Sequence, residues 1–346
     1  FESTLNPETR RAGGMHYTSI ENIHKVIDPL FLDDLRENLN EIEAYKNEKT
    51  RNEKLIEFQN YLGSLTFFDP ACGSGNFLTE TYLSLRRLEN EALEVQQGKG
   101  VISLDVGYQI KVSIQQFYGI EINDFAVKVA KTALWIAESQ MVKKTEEIVN
   151  TNIQFLPLKS YNNIVEGNAL RIDWNEVLPN IKCNYIMGNP PFVGASQQSE
   201  EQRKDLEYVW NEKQIDSFNY SKKIDYVSGW YIKAANYMKN TKIKTSFVST
   251  NSITQGEQVI QIWKPLLEQF KIKINFAYQT FRWDSEASIK AHVHCVIIGF
   301  SYVDDKIKKI YINNKYKIAS NINGYLLDAK NTYIENRKTS ISNAPK

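Results

Sequence analysis

Asn189-Pro190-Pro191-Phe192 joins a carboxamide to two consecutive prolines and an aromatic ring. An exocyclic amine on a heteroaromatic base is a poor nucleophile, because its lone pair is delocalised into the ring. The Asn189 side-chain oxygen and the Pro190 carbonyl are suited to accept that amine's hydrogens. Accepting them favours a pyramidal nitrogen, frees the lone pair and aligns it with an electrophile. Pro190 and Pro191 hold the carbonyls in a fixed direction, and Phe192 offers a face on which a flipped base can stack. No acidic general base is required, since the amine loses its proton easily only after it has been alkylated. Taken alone, the tetrad also reads as a proline-rich turn at a strand end.

Far upstream stands Asp69-Pro70-Ala71-Cys72-Gly73-Ser74-Gly75-Asn76. Glycines at such a turn let the backbone approach a ligand where a Cβ would clash. Asp69 precedes the turn, where a carboxylate would bind an ammonium group and repel a pyrophosphate. No Gly-Lys-Ser or Gly-Lys-Thr follows, so a P-loop is excluded. Glu121 fits the acidic residue that accepts both hydroxyls of a ribose. Its spacing from Gly73 is long, which an insertion within 89–112 would explain. Ile122 would pack on a purine face. Asn168 would hydrogen-bond the purine edge, or serve as a plain turn residue after Gly167. A nucleoside carrying an amino-acid moiety, as S-adenosylmethionine does, meets these demands, and its methyl sulfonium is the electrophile that the tetrad needs.

Elements must position these residues. Leu65-Thr66-Phe67-Phe68 reads as a strand ending at Asp69, and residues 77–88 as the next helix, with 89–112 polar and loop-like or weakly helical. Phe117-Tyr118-Gly119-Ile120 reads as a strand ending at Glu121, and residues 125–141 as a strongly apolar helix. Residues 163–168 and Tyr185-Ile186-Met187-Gly188 give two further strands, the last ending at Asn189. Each polar candidate thus follows a strand directly, where doubly wound α/β sheets bind their ligands. Residues 244–248, 293–300, 309–312 and 325–327 read as later strands. Upstream, Ser19 is placed to cap a helix carrying Ile20, Ile23, Ile27 and Leu30, disturbed at its end by Pro29. Residues 33–58 are charged but helix-patterned. The expected organisation is an N-terminal helical region over 1–64, an α/β domain over 65–300 and a C-terminal extension over 301–346.

The 346 residues are 42% hydrophobic and 24% charged, with a formal net charge of +1. This fits a globular chain and gives no overall basic signature, although a local basic cleft is compatible with it. Cys72, Cys183 and Cys295 are far apart, so neither a disulfide framework nor a cysteine metal site is expected, and a reducing cytoplasmic setting fits. His292 and His294 lack a third ligand and read as structural, so no metal is expected. No apolar run is long enough to span a membrane. A chain beginning with Phe1 suggests a fragment of a longer polypeptide.

On these motifs, in this order, the chain resembles N6-adenine DNA methyltransferases of the gamma arrangement. Residues 69–78 resemble that family's cofactor loop, including Ala71, Cys72 and Asn76, and Asn189-Pro190-Pro191-Phe192 its catalytic tetrad. Gly14-Met15-His16-Tyr17-Thr18-Ser19 resembles its motif closing over the methionine part of the cofactor, through Tyr17 and Thr18. Gly188 to Gly194 around the tetrad, Asp225-Tyr226-Val227-Ser228-Gly229-Trp230-Tyr231 and Arg282-Trp283 are similar to single-chain Type IIG/IIL restriction–modification enzymes. The resemblance implies an α/β, Rossmann-like class I S-adenosylmethionine-dependent methyltransferase with an N-terminal helical region, acting on double-stranded DNA in a bacterial host. It also implies nuclease and target-recognition domains, for which this chain has little room. Phe281 or Trp283 would face a flipped base. Cytosine-N4 methylation, protein-glutamine methylation and a non-catalytic DNA-binding subunit stay open.

Overall fold

The computed structural model describes residues 18–97, 110–150, 152–153, 161–212, 223–283, 293–313 and 315–333. Its spine is a nine-stranded sheet of order β3-β2-β1-β4-β5-β7-β6-β8-β9. The strands are β1 Phe67–Asp69, β2 Phe117–Glu121, β3 Ile164–Glu166, β4 Tyr185–Gly188, β5 Lys244–Thr250, β6 Lys273–Trp283, β7 Val293–Ser301, β8 Lys308–Ile312 and β9 Lys315–Ala319. The first five are parallel, and β7 runs antiparallel between β5 and β6. This is the class I methyltransferase architecture. The winding reverses between β1 and β4, so a crevice opens at their carboxyl ends.

The centre of the sheet is buried on both faces, which explains why β1 is buried without alternation. Phe68 packs on one side against Trp174, rings 5.2 Å apart. Phe67 packs on the other against Phe31 and Phe117, at 5.1 and 5.2 Å. The second side carries the N-terminal helices α1 Ile20–Ile27, α2 Asp33–Glu43 and α3 Glu48–Ser64, with α4 Asn76–Gln97 and α5 Asp124–Val149. The first carries α6 Glu200–Glu212 and α7 Ser228–Tyr237. Ser19 caps α1 by accepting from the Asn22 N–H at 3.4 Å, and beyond Pro29 the helix continues as a wider turn over Asp28–Leu32.

Three local expectations are sharpened or corrected. The charged stretch 33–58 is broken after Ala44, and Asn47 starts α3 by accepting from the Thr50 N–H. Residues 89–97 take the helical of the two readings and extend α4, because Glu89 and Asn90 face inward. Glu89 pairs with Arg86 and accepts from the Lys111 and Val112 N–H groups, and Asn90 accepts from Thr145 on α5. Tyr325 to Leu327 form a turn, with Leu326 at φ 56° and the Leu326 N–H donating to Asn323 O. Two strands were not anticipated as such. In β6 two register shifts break the alternation of side chains, and β9 is a lysine-bearing, mostly exposed edge. Strands β8 and β9 continue the sheet past residue 300.

Candidate active site

The turn after β1 is set by close backbone approach. Gly73 and Gly75 adopt left-handed φ values of 53° and 84°. A Cβ on Gly75 would lie 2.9 Å from the Ala130 Cβ on α5, so only glycine lets the turn reach that helix. The Cys72 N–H donates to Ile120 O at 3.0 Å, and the Gly73 N–H to Glu121 Oε2 at 3.0 Å, which ties the turn to β2. Cys72 is buried, and burial raises its thiol well above the ordinary range, so it acts here as an inert apolar side chain.

Asp69 is 1% exposed. Its Oδ1 accepts from the Ala71 N–H at 3.0 Å, while Oδ2 is buried with no partner among the described residues. Burial pushes its carboxyl up to about 8, against the Ala71 N–H and with a smaller contribution from Glu121. A Cβ on Gly188 would stand 2.5 Å from Asp69 Oδ1, so the residue before the tetrad must be glycine for Asp69 to sit there. Glu121 accepts the Asn123 N–H on Oε1 and the Gly73 N–H on Oε2, each at 3.0 Å. Burial raises its carboxyl too. Ile122 beside it is 63% exposed.

These groups line one cavity of about 270 Å³ at the switch point, together with Thr18, Ala71, Cys72, Gly73, Asn76, Asn168, Asn189 and Pro191. Gly75 lies outside the lining and acts through packing. Tyr17 lies outside the described residues. Asn168 faces the cavity, but its amide is engaged, with Nδ2 donating to Asp205 at 2.8 Å and Oδ1 accepting from the Leu170 N–H at 2.9 Å. Sequence reading missed Asp205 and gave no ligand role to Tyr226 or Trp230, three further lining residues. Asp205 also takes Arg171 Nε at 2.6 Å and the Tyr226 hydroxyl at 2.8 Å. An acidic residue in a polar helix carries no periodic signal, whereas Tyr226 and Trp230 lie in a stretch whose sequence did stand out.

Asn189 directs Nδ2 to Thr18 Oγ1 at 3.4 Å and leaves Oδ1 buried, with no partner among the described residues. The tetrad forms a ridge. Asn189 and Pro191 face the cavity, and Phe192 faces a second, wider cleft of about 920 Å³ bordered by Arg203, Lys223, Thr250, Ser252 and His294. Pro190 borders neither. Phe281 is partly buried and packs against the core, under the Lys25 ammonium at 5.3 Å. The Trp283 side chain and His292 lie outside the described residues. No group of three metal-ligating side chains occurs among the described residues, and no helix there is long and apolar enough to cross a membrane.

The two buried oxygens without partners, Asp69 Oδ2 and Asn189 Oδ1, stand at the cavity wall beside an engaged but unsaturated Glu121. An acceptor-rich wall with an exposed isoleucine at its rim fits a nucleoside bearing an ammonium, and does not fit a polyphosphate.

Comparison with known proteins agrees. DNA methyltransferase A of Bacillus subtilis (strain 168) is 41% identical over 351 residues, covering 100% of this chain and 38% of that protein. The structure of the Type IIL restriction-modification enzyme MmeI in complex with DNA superposes with a TM-score of 0.89 at 44% identity, covering 99% of this chain and 45% of that one. The DrdV–DNA complex matches at a TM-score of 0.50 and 16% identity, over 88% of this chain and 28% of that one, a likeness of fold alone. The chain therefore spans less than half the length of these relatives. The family described as MmeI, DNA-methyltransferase domain, matches residues 44–312, and the chain belongs to it, with S-adenosylmethionine as its methyl donor.

Proposed function

We propose that this chain is the catalytic part of an adenine-specific DNA methyltransferase that methylates N6 of a flipped adenine in double-stranded DNA. The observation that carries the reading is the buried, unpartnered Asn189 Oδ1 on a ridge between the cofactor cavity and a second open cleft. A carboxamide oxygen left unsatisfied in a buried site is costly unless a ligand donor meets it, and an exocyclic amine is such a donor.

Asp69 Oδ2 would receive the cofactor's ammonium, Glu121 the ribose hydroxyls and Ile122 one adenine face. Ala71, Cys72, Gly73 and Asn76 would shape the wall along the amino-acid part, with Thr18 and, from its motif, Tyr17 closing it. Asn168 and Asp205 would border the adenine edge. When bound, S-adenosylmethionine supplies a methyl group on a sulfonium, which departs as a neutral thioether. Asn189 Oδ1 and the Pro190 carbonyl would accept the two hydrogens of the target amine and turn its lone pair toward that methyl. Pro191 stiffens the ridge, and Phe192 supports the base from the second cleft. The nitrogen then releases one proton to water, so the site needs no buried base.

The relatives, one of them a restriction-modification enzyme solved on DNA, support placing this chain in a larger bacterial restriction–modification protein, with nuclease and target-recognition parts outside it. A cytoplasmic setting fits three free, buried cysteines.

The test is transfer of labelled methyl from S-adenosylmethionine to unmethylated bacterial DNA by the full-length protein, with nucleoside analysis. Asn189→Ala is expected to lower transfer by at least about a hundredfold, the scale of removing one transition-state acceptor, with cofactor binding retained. N4-methylcytosine as product, or full transfer by the variant, overturns the reading.

A further inference from the structure

Asp225 stands apart from the cofactor cavity, at the edge of the second cleft, and is 5% exposed. Its carboxylate collects donors from three separate segments. Oδ1 accepts the Ala195 N–H, three residues after Phe192, at 3.1 Å, and Gln258 Nε2 at 3.1 Å. Oδ2 accepts the Thr250 hydroxyl, at the end of β5, at 3.2 Å, and the Ser252 hydroxyl. The Asp225 N–H returns a bond to Gln258 Oε1 at 3.0 Å. The next residue completes a two-point clamp, for the Tyr226 N–H donates to Val193 O at 2.9 Å. One turn of helix further, Trp230 Nε1 donates to Pro70 O, in the cofactor turn, at 3.1 Å.

A buried carboxylate with this many donors is a strong, directional anchor. The loop it holds carries no regular structure of its own over residues 189–194, so its course depends on such anchors. We propose that Asp225 is a positioning residue for the reaction. It fixes the chain after Phe192 against the end of β5 and the segment that follows it, and so sets the width of the cleft that receives the target base. Through the Asp225–Trp230 stretch it also holds that cleft in register with the cofactor turn. The four donors stabilise the carboxylate in place beside the cleft. The inference rests on the reading of the second cleft as the base pocket.

The conservative variant is informative because of hydrogen-bond chemistry. In Asp225→Asn the amide oxygen still serves Ala195 and Gln258, and its NH2 donates to the Thr250 and Ser252 hydroxyls, which rotate to accept. Asp225→Ala keeps none of these. In the full-length protein, Asp225→Ala is expected to lower kcat for DNA methylation about a hundredfold, the cost of roughly an ångström of misplacement. S-adenosylhomocysteine affinity should stay within about twofold, and Asp225→Asn should recover most of kcat. Amide hydrogen exchange of residues 193–197 in the free protein should speed up in Asp225→Ala and not in Asp225→Asn.

Unchanged exchange in Asp225→Ala, or a loss of kcat shared equally by Asp225→Asn, overturns the proposal. Faster exchange in a protein whose wild type transfers no methyl to DNA leaves the loop anchor standing and removes the base-pocket reading instead. Should Asp225→Ala fail to fold, Gln258→Leu removes one donor and one acceptor of the same anchor. It must then accelerate the same amides, or the proposal falls.

Discussion

Asp69 shows how one buried oxygen couples stability to binding. Its carboxyl is pushed from 3.8 to about 8, chiefly by burial. A folded value above the unfolded one means that this group's stabilising contribution is present below 3.8 and is lost as pH rises through about 8. The free protein should therefore lose stability over that window, and a bound ammonium should restore it by stabilising the carboxylate. Asp69→Asn keeps the acceptor for the Ala71 N–H but cannot ionise. At pH 9 the free variant is expected to melt above the wild type, while calorimetry should find S-adenosylhomocysteine bound about 10- to 100-fold more weakly, the range of one charged hydrogen bond. Unaltered affinity would remove Asp69 from the ammonium role. At this scale the sequence was legible where chemistry and strand ends coincide, as at Asp69, Glu121 and Asn189. It was silent on pairings across the fold. Nothing local announces that Asp205 occupies the Asn168 amide or that Gly188 must lack a Cβ to make room for Asp69.

Among the elements, α1 is held to α4 by a titrating clamp. His24 Nδ1 pairs with Asp28 at 2.7 Å and Nε2 with Glu80 at 3.3 Å, while Arg87 holds the same Glu80 oxygen at 2.7 Å. The Asp28 and then the Glu80 hydrogen bonds raise the His24 imidazolium to about 9, against the opposing effect of burial. Its folded value exceeds the unfolded 6.5, so the clamp's contribution is complete below 6.5 and disappears as pH rises through about 9. Partial exposure limits it to about 1 kcal/mol. Thermal melts of the wild type should fall across that window, and those of His24→Gln should lose that part of the slope; an identical slope would show that the clamp does not form. Because Thr18 stands just before the Ser19 cap of α1 and meets Asn189, the clamp also bears on the ridge. The helix itself was readable from Ser19 and the apolar spacing, since capping and periodicity are local. The extension of α4 through Glu89 and Asn90 was not. Its Glu89 and Asn90 are buried against Arg86, Thr145 and two backbone amides, partners that lie 3 to 55 positions away.

For the whole molecule, a net charge of +1 leaves no global attraction to a polyanion. On the proposed reading, DNA affinity comes from locally placed cations, and Arg203 and Lys223 stand exposed on the rim of the second cleft. The fold explains why this distribution escapes composition. Arg203 belongs to α6 and Lys223 precedes α7, and only the return of the chain beside β4 and β5 brings both to the cleft that Phe192 faces. Lys223 already shares its charge with Glu257 at 2.9 Å, so Arg203 is expected to carry more of the phosphate contact. Counterion release sets the size of the effect, with each neutralised phosphate contributing about 0.9 to the slope of log affinity against log salt. Arg203→Ala should weaken DNA binding at low salt and reduce that slope by about 0.9, at every DNA sequence alike, because phosphate contacts carry no base information. A fluorescence-anisotropy titration at several salt concentrations measures both quantities. An unchanged slope would move the phosphate contact away from this rim, and a loss confined to one DNA sequence would make Arg203 a base-reading residue instead.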